Sequence, residues 1–160
     1  MTKTYLANHP SAMGFIFNEP VYQITETKQF DSFDYEGDNN KYVLVLYLNE
    51  QGKLISHPQR DFLMKILGAV GLKPEDVALV NLGAYQGVTA LDLKKFFSPS
   101  KMLVFSEDVS SLGVSQLEKH YLPSSAASMK VVRSQSIDNI LHNVDSKKQL
   151  WMALKQLFNV

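Results

Sequence analysis

Four positions in this chain place polar side chains where a strand-like run ends: Asn49, Asn81, Ser106 and Arg133. Open α/β sheets bind ligands outside the carboxyl ends of their strands, so the segments that begin at these residues are where chemistry would be built. Asn81-Leu82-Gly83-Ala84-Tyr85-Gln86-Gly87 sets two glycines after a strand, as a phosphate loop does. It has neither the Walker lysine nor the Rossmann triple-glycine spacing, and ordinary loop geometry is the simpler reading. Ser106-Glu107-Asp108 puts a carboxylate pair where it could hold a divalent cation or activate water. The same residues also form turns and helix N-caps, where their charge suits the dipole, and that reading is favoured. A ligand site at the sheet's carboxyl end would draw on Asn81, Gly83, Gly87, Ser106, Glu107, Asp108 and Arg133.

Other chemistries find less support. The absence of cysteine removes disulfides, thiolate nucleophiles and thiolate-bound zinc. His9, His57, His120 and His142 are scattered without metal-ligand spacing, so no metal site is expected. No Gly-x-Ser-x-Gly elbow anchors a hydrolase triad, and no catalytic residues or cofactor are assigned. Trp151 could stack on a base, but its setting among Leu150, Leu154 and Phe158 suits a core or interface anchor better. The apolar cluster Met13-Gly14-Phe15-Ile16-Phe17 either packs on the domain or remains available to a partner.

The elements that must position these residues alternate. Residues 42–48 form a continuous apolar, β-branched run that predicts a central parallel strand covered on both faces. From Pro58, apolar residues recur at helical spacing through Val70, with Gly71 at the C-cap. A strand over 77–80 follows. Thr89 and Asp92 then cap a helix whose apolar side is Leu91, Leu93, Phe96 and Phe97. Residues 101–105 predict a third strand, 114–120 a helix, 123–128 a flexible loop and 129–132 a fourth strand. Ser136 and Asp145 are expected to cap two closing helices, over 137–141 and from 145 onward. Strands joined by helix-length connections imply right-handed crossovers. The expectation is one α/β domain, a three-layer αβα sandwich with a short, mostly parallel four-stranded sheet. Residues 42–160 would form its core, and residues 1–41 an N-terminal segment packing on it, with an exposed polar loop near 25–41.

With 45% hydrophobic and 20% charged residues the composition is that of an ordinary globular domain. The start of the sequence has no signal-peptide pattern and no apolar run long enough to span a bilayer, so a cytoplasmic protein without membrane contact is expected. Sixteen lysines and arginines balance sixteen acids, a net charge that argues against direct nucleic-acid binding. The balance is uneven: residues 1–40 carry Lys3 and Lys28 against Glu19, Glu26, Asp31, Asp34, Glu36 and Asp38, leaving the rest mildly basic.

The strand Val43 to Leu48, the passage Phe62-Leu63-Met64-Lys65-Ile66-Leu67 through Leu72-Lys73-Pro74-Glu75-Asp76-Val77, and the ending Ser136-Ile137-Asp138-Asn139-Ile140-Leu141 with Lys147-Lys148-Gln149-Leu150-Trp151 resemble the psi-subunit family of bacterial DNA polymerase III. The chain is also similar to uncharacterised bacterial proteins with the same middle and ending. The resemblance implies a uracil-DNA glycosylase-like fold. Glycosylases of that fold place a water-activating Asp or Asn motif after the first core strand and a histidine motif after the last. Here those places hold Asn49-Glu50-Gln51-Gly52 and Arg133-Ser134-Gln135-Ser136, so base excision is not expected.

The family implies a non-catalytic adaptor in DNA replication that joins the clamp loader, through an N-terminal peptide, to a chi-like subunit. Phe15, Ile16 and Phe17 would be the peptide's anchors. The alternative is a small-molecule or nucleotide-binding enzyme using the seven strand-end residues above. A third reading, an inactive glycosylase-like nucleic-acid reader, would need a basic groove around Lys130, Arg133, Lys147 and Lys148.

Overall fold

A run such as Val43-Leu44-Val45-Leu46-Tyr47, apolar at every position, has no face to offer water and must lie inside a sheet. In the computed structural model, which describes residues 30–49, 55–114, 119–126 and 128–160, all five of these residues are buried. They form the central strand β1 (Val43–Tyr47). The remaining strands are β2 (Val77–Asn81), β3 (Lys101–Phe105), β4 (Ser124–Ala126) and β5 (Met129–Ser134). Their order across the sheet is β2-β1-β3-β5-β4, parallel throughout except for β4, which runs antiparallel to β5.

Among the described residues four helices close the connections: α1 (His57–Ala69), α2 (Ala90–Phe97), α3 (Ile137–Leu141) and α4 (Val144–Phe158). Alternation along the strands divides the core in two. Val43, Val45 and Phe105 pack with Leu63 and Leu67 of α1, Ile140 of α3 and Leu154 of α4. Leu44, Leu46 and Met102 point the other way and pack with Leu93 and Phe97 of α2. The sheet is therefore covered on both faces.

Local signals explain the helix limits. Ser56 caps α1, accepting from Gln59 N at 3.4 Å while its own N–H donates to Gln59 Oε1 at 3.2 Å, a reciprocal capping box. Gly71 N–H donates to Gly68 O at 3.1 Å and Leu72 N–H to Leu67 O at 2.9 Å, the paired bonds of a Schellman ending, and the φ of +82° at Gly71 suits the residue without a Cβ. Thr89 and Asp92 form the expected box at the start of α2.

The structure corrects three expectations. The sheet has five strands, not four: Ser124-Ser125-Ala126, expected within a loop, pairs with β5 as a three-residue edge strand, which carries no periodic or β-branched signal. The helix expected over 114–120 falls mainly on 115–118, outside the described residues; Val114, Lys119 and His120 at its ends are not helical, and Ser110–Leu112 before it forms a single 3-10 turn. α4 is capped by Asn143, whose Oδ1 accepts from Ser146 N at 3.1 Å, which places Asp145 within the first turn. On α2 the buried stripe is Ala90, Leu93 and Phe97, whereas Leu91 and Phe96 are exposed, because only the first three share one helical face.

Residues 30–42, the polar segment before β1, run along the outer edge of β2. Their side chains are mostly exposed, but Glu36 exchanges two backbone hydrogen bonds with Leu79, at 3.0 and 2.9 Å, and Asn39 N–H donates to Val77 O at 3.1 Å. Gly37 is needed there, at φ +92° with its Cα so close to Val77 O that a Cβ would lie 2.1 Å from it. This strap covers an edge that would otherwise present unpaired backbone groups. Phe33 anchors it, buried against Tyr85 and Phe97 with ring centroids 4.8 and 5.5 Å away. Among the described residues no helix is long and apolar enough to cross a membrane.

Truncating the anchor tests whether the strap belongs to the cooperative fold. Phe33→Ala should lower unfolding free energy by about 3–5 kcal/mol, the range for deleting a buried aromatic side chain. Urea denaturation measures it, and an unchanged midpoint would show that the strap folds separately from the core.

Candidate functional site

Parallel register brings the carboxyl ends of the four parallel strands level. Tyr47 aligns with Asn81 on one side and Phe105 on the other, and Phe105 aligns with Ser134. Loops leaving this rim carry the residues that the sequence singled out.

Asn81 joins two of them. Its Oδ1 accepts from Asn49 N at 3.0 Å, beyond the end of β1, and from Gly83 N at 2.9 Å in its own loop. Gly83 approaches so closely that a Cβ there would lie 1.9 Å from Asn49 O. Gly87, at φ +82°, turns the chain toward Val88 and α2. These residues therefore perform loop closure, the reading their spacing favoured.

The segment after β3 is likewise tied in. Ser106 is buried, its Oγ donating to Asp108 O at 2.8 Å and accepting from Asp108 N at 3.1 Å. Asp108 Oδ1 accepts from Ser110 N at 3.0 Å and Ser110 Oγ at 2.7 Å, capping the following turn. These bonds, the backbone one first, hold the Asp108 carboxyl below its ordinary pKa. Arg133 lies within β5 rather than after it; its Nε donates to Ser106 O at 3.2 Å and its guanidinium reaches Glu107 O. Glu107 Oε1 accepts from Ser136 N at 3.2 Å and Asn139 Nδ2 at 2.8 Å, at the start of α3.

His120, distant in sequence, closes this group with Nε2 3.8 Å from Glu107 Oε2. Nε2 is buried without a hydrogen-bond partner among the described residues. Burial, then the Arg133 charge, lower its pKa below the ordinary 6.5, outweighing the opposing pull of Glu107. Spacing along the chain carries no sign of this contact, because His120 and Glu107 sit on different loops that only the folded sheet brings together.

The seven candidates divide among neighbouring clefts. Glu107, Asp108 and Arg133 line one of about 480 Å³ with Ser110 and Gly113, and Ser106 lies beneath it. Gly83 and Gly87 line a second of about 420 Å³ with Leu48, Tyr85 and, again, Asp108. Asn81 faces a third, about 290 Å³, beside Asp34, Glu36 and Tyr47. A doubly wound sheet would place its ligand between β1 and β3, where the connections depart in opposite directions. Toward Gly83 and Gly87 these two strand ends open, through Leu48 and Asp108, into the 420 Å³ cleft; on the side of α1 and α3 the space is only about 20 Å³, room for roughly one water. Gln59 Nε2 spans it, donating to Asp138 Oδ1 at 2.5 Å and pinning α1 to α3.

No family model matches the chain, and no curated protein matches it significantly.

The other candidates are dispersed. Lys130 lines a small cleft with Ser124 and Gln156 near the start of β5, whereas Arg133 stands near its end, and Lys147 and Lys148 project from α4. No shared groove is lined by these four among the described residues. Trp151 is 37% exposed on α4, between buried Leu150 and Leu154. Phe15, Ile16 and Phe17 lie outside the described residues. Among those described, no three histidine or carboxylate side chains are grouped as a metal ion would require.

A lowered histidine pKa means that the unfolded chain binds the proton more readily. Stability should therefore be full above pH 6.5 and fall as pH drops below it. Thermal midpoints between pH 5 and pH 7.5, ranges set around the ordinary histidine value, should slope in wild type. His120→Gln should flatten that slope; an identical slope would remove His120 as its cause.

Proposed function

We propose that the chain is a non-catalytic protein-interaction module of the psi-subunit kind, with a uracil-DNA glycosylase-like fold, serving as an adaptor at the replicative clamp loader in the cytoplasm. One observation carries the non-catalytic part. Asn81, Ser106 and Asp108 hold neighbouring loops together, and Gln59 with Asp138 closes the crevice between β1 and β3 on the side of α1 and α3. Groups that tie down loops are not available to a reacting substrate without breaking the loops. Four parallel strands with helices on both faces support the fold assignment, β4 being an addition at one edge. The partner rests on the sequence resemblance, through Phe15, Ile16 and Phe17.

Size-exclusion chromatography of the whole chain with a purified bacterial clamp loader tests the adaptor reading. Co-elution is expected, and replacing Phe15, Ile16 and Phe17 together by alanine should weaken it by tenfold or more, about 1.4 kcal/mol. Absence of co-elution by the unaltered chain would overturn it.

A second reading has one specific support, the convergence of Glu107, Asp108 and Arg133 on one cleft. On that reading the cleft holds a nucleotide or another small anionic molecule with a divalent cation. A ligand at a hundred times its Kd would add about 2.7 kcal/mol to stability. A thermal-shift panel of nucleotides with magnesium or manganese should then raise the midpoint in wild type and fail to do so in Arg133→Ala. An unmoved wild-type midpoint across the panel excludes the reading.

A further inference from the structure

The outer face of α4 has a composition that the fold does not require. Val144, Lys148, Trp151 and Lys155 follow one another at spacings of four, three and four, and so form one stripe on the helix surface. Lys147 and Met152 flank it. Val144 and Met152 are 66% and 64% exposed, and the three lysines are exposed as well. Burial of α4 is provided by Leu150, Ala153, Leu154 and Leu157 on the opposite side. Nothing in the core needs a large apolar side chain at 144, 151 or 152.

The lysines here lie against rings. Lys155 Nζ is 5.8 Å from the Trp151 centroid, Lys147 Nζ 5.8 Å from that of Phe62 on α1, and Lys101 Nζ 5.3 Å from that of Phe158. Among the described residues none of these lysines forms an ion pair with a carboxylate. α4 itself carries one acid, Asp145, against three lysines. Exposed apolar side chains rimmed by uncompensated positive charge form a surface complementary to acid and hydrocarbon together.

We propose that this face of α4 docks an acidic amphipathic peptide segment of a protein partner. The partner's apolar side chains would cover Val144, Trp151 and Met152, Met152 adapting its shape to them. Its carboxylates would meet Lys147, Lys148 and Lys155 at the rim. Fifteen residues make α4 about 22 Å long, enough to seat a partner helix of similar length. Single-stranded nucleic acid is the weaker match. Bases bind by stacking on aromatic faces, and here Trp151 and Phe158 each already carry one of the chain's own lysines, while Val144 and Met152 offer a phosphate nothing. The surface stands independently of the clamp-loader reading, since it involves none of the residues on which that reading depends.

Trp151 is the single tryptophan of the chain and reports directly on its own surface. The probe is a synthetic helical peptide of about 15 residues with leucine on one face and glutamate on the rest. Titration into the full-length chain should change Trp151 emission saturably, and raising salt from about 0.1 M to 0.5 M should weaken binding several-fold. The combined Lys147→Glu, Lys148→Glu and Lys155→Glu variant should bind at least tenfold more weakly with an unchanged unfolding midpoint. Met152→Glu should weaken binding through the apolar side alone. An equal response to the peptide with glutamine in place of glutamate would overturn the proposal, as would no response at all. So would a response to oligo-dT in the absence of one to the acidic peptide.

Discussion

β1 is hydrogen-bonded on both edges and buried on both faces, and the rest of the molecule is arranged around what that demands. A strand enclosed on all sides must find every backbone partner in its neighbours, because an unpaired buried amide costs about 1–3 kcal/mol. Parallel pairing with β2 and β3 meets the demand along the strand. It also requires long crossovers, and these become the helices that cover the two faces. Where the pairing stops, beyond Tyr47, the chain still has amides to satisfy, and the Asn81 side chain supplies the acceptor for Asn49 N–H.

This explains why the carboxyl rim is rich in polar residues. Each parallel strand leaves the sheet at the same level, so its loop begins beside its neighbour's loop and the two must be fastened. Asn81 does so between β1 and β2. Arg133, from within β5, fastens the loop after β3 through Ser106 and Glu107. Glu107 in turn anchors the start of α3, and Gln59 with Asp138 joins the helices above the sheet. Such a rim has the residue types of an active site, and these bonds run among those residues and to backbone.

Legibility in the sequence followed the range of the forces involved. β1 was plain because burial on both faces leaves an unbroken apolar run, and the start of α2 because Thr89 and Asp92 answer each other within one turn. The Ser56 and Gln59 box obeys the same rule and went unread; Pro58 alone marked that start. β4 was unreadable, since Ser124, Ser125 and Ala126 have no β preference of their own and owe their conformation to β5. The strap along β2 was hidden for the same reason: most of its acidic side chains face solvent, and what holds it is long-range, its backbone bonds, Phe33, Glu36 to Arg60, Asn39 to Phe97 O and Lys41 to Asp76. At the rim, Ser106, Glu107, Asp108 and Arg133 were found by position, whereas His120 entered only because tertiary folding set it beside Glu107.

Net charge carries less information than the placement of the charges. A formal charge of zero argues against a strong global field, but the field near a surface follows from where charges sit. Asp31, Asp34, Glu36 and Asp38 belong to the strap at the β2 edge, while Lys147, Lys148 and Lys155 belong to α4, which packs on β5 beyond the middle of the sheet. Opposite signs are thus held on opposite sides of β1 and β3, where intervening protein keeps them from pairing. Ions screen such separated surface charges over about 8–10 Å at physiological salt, a distance short enough that a partner approaching α4 meets the lysines and not the strap. The two signs cancel in the sum while each remains effective on its own side, so overall neutrality and a locally basic, apolar helix face are compatible around one sheet.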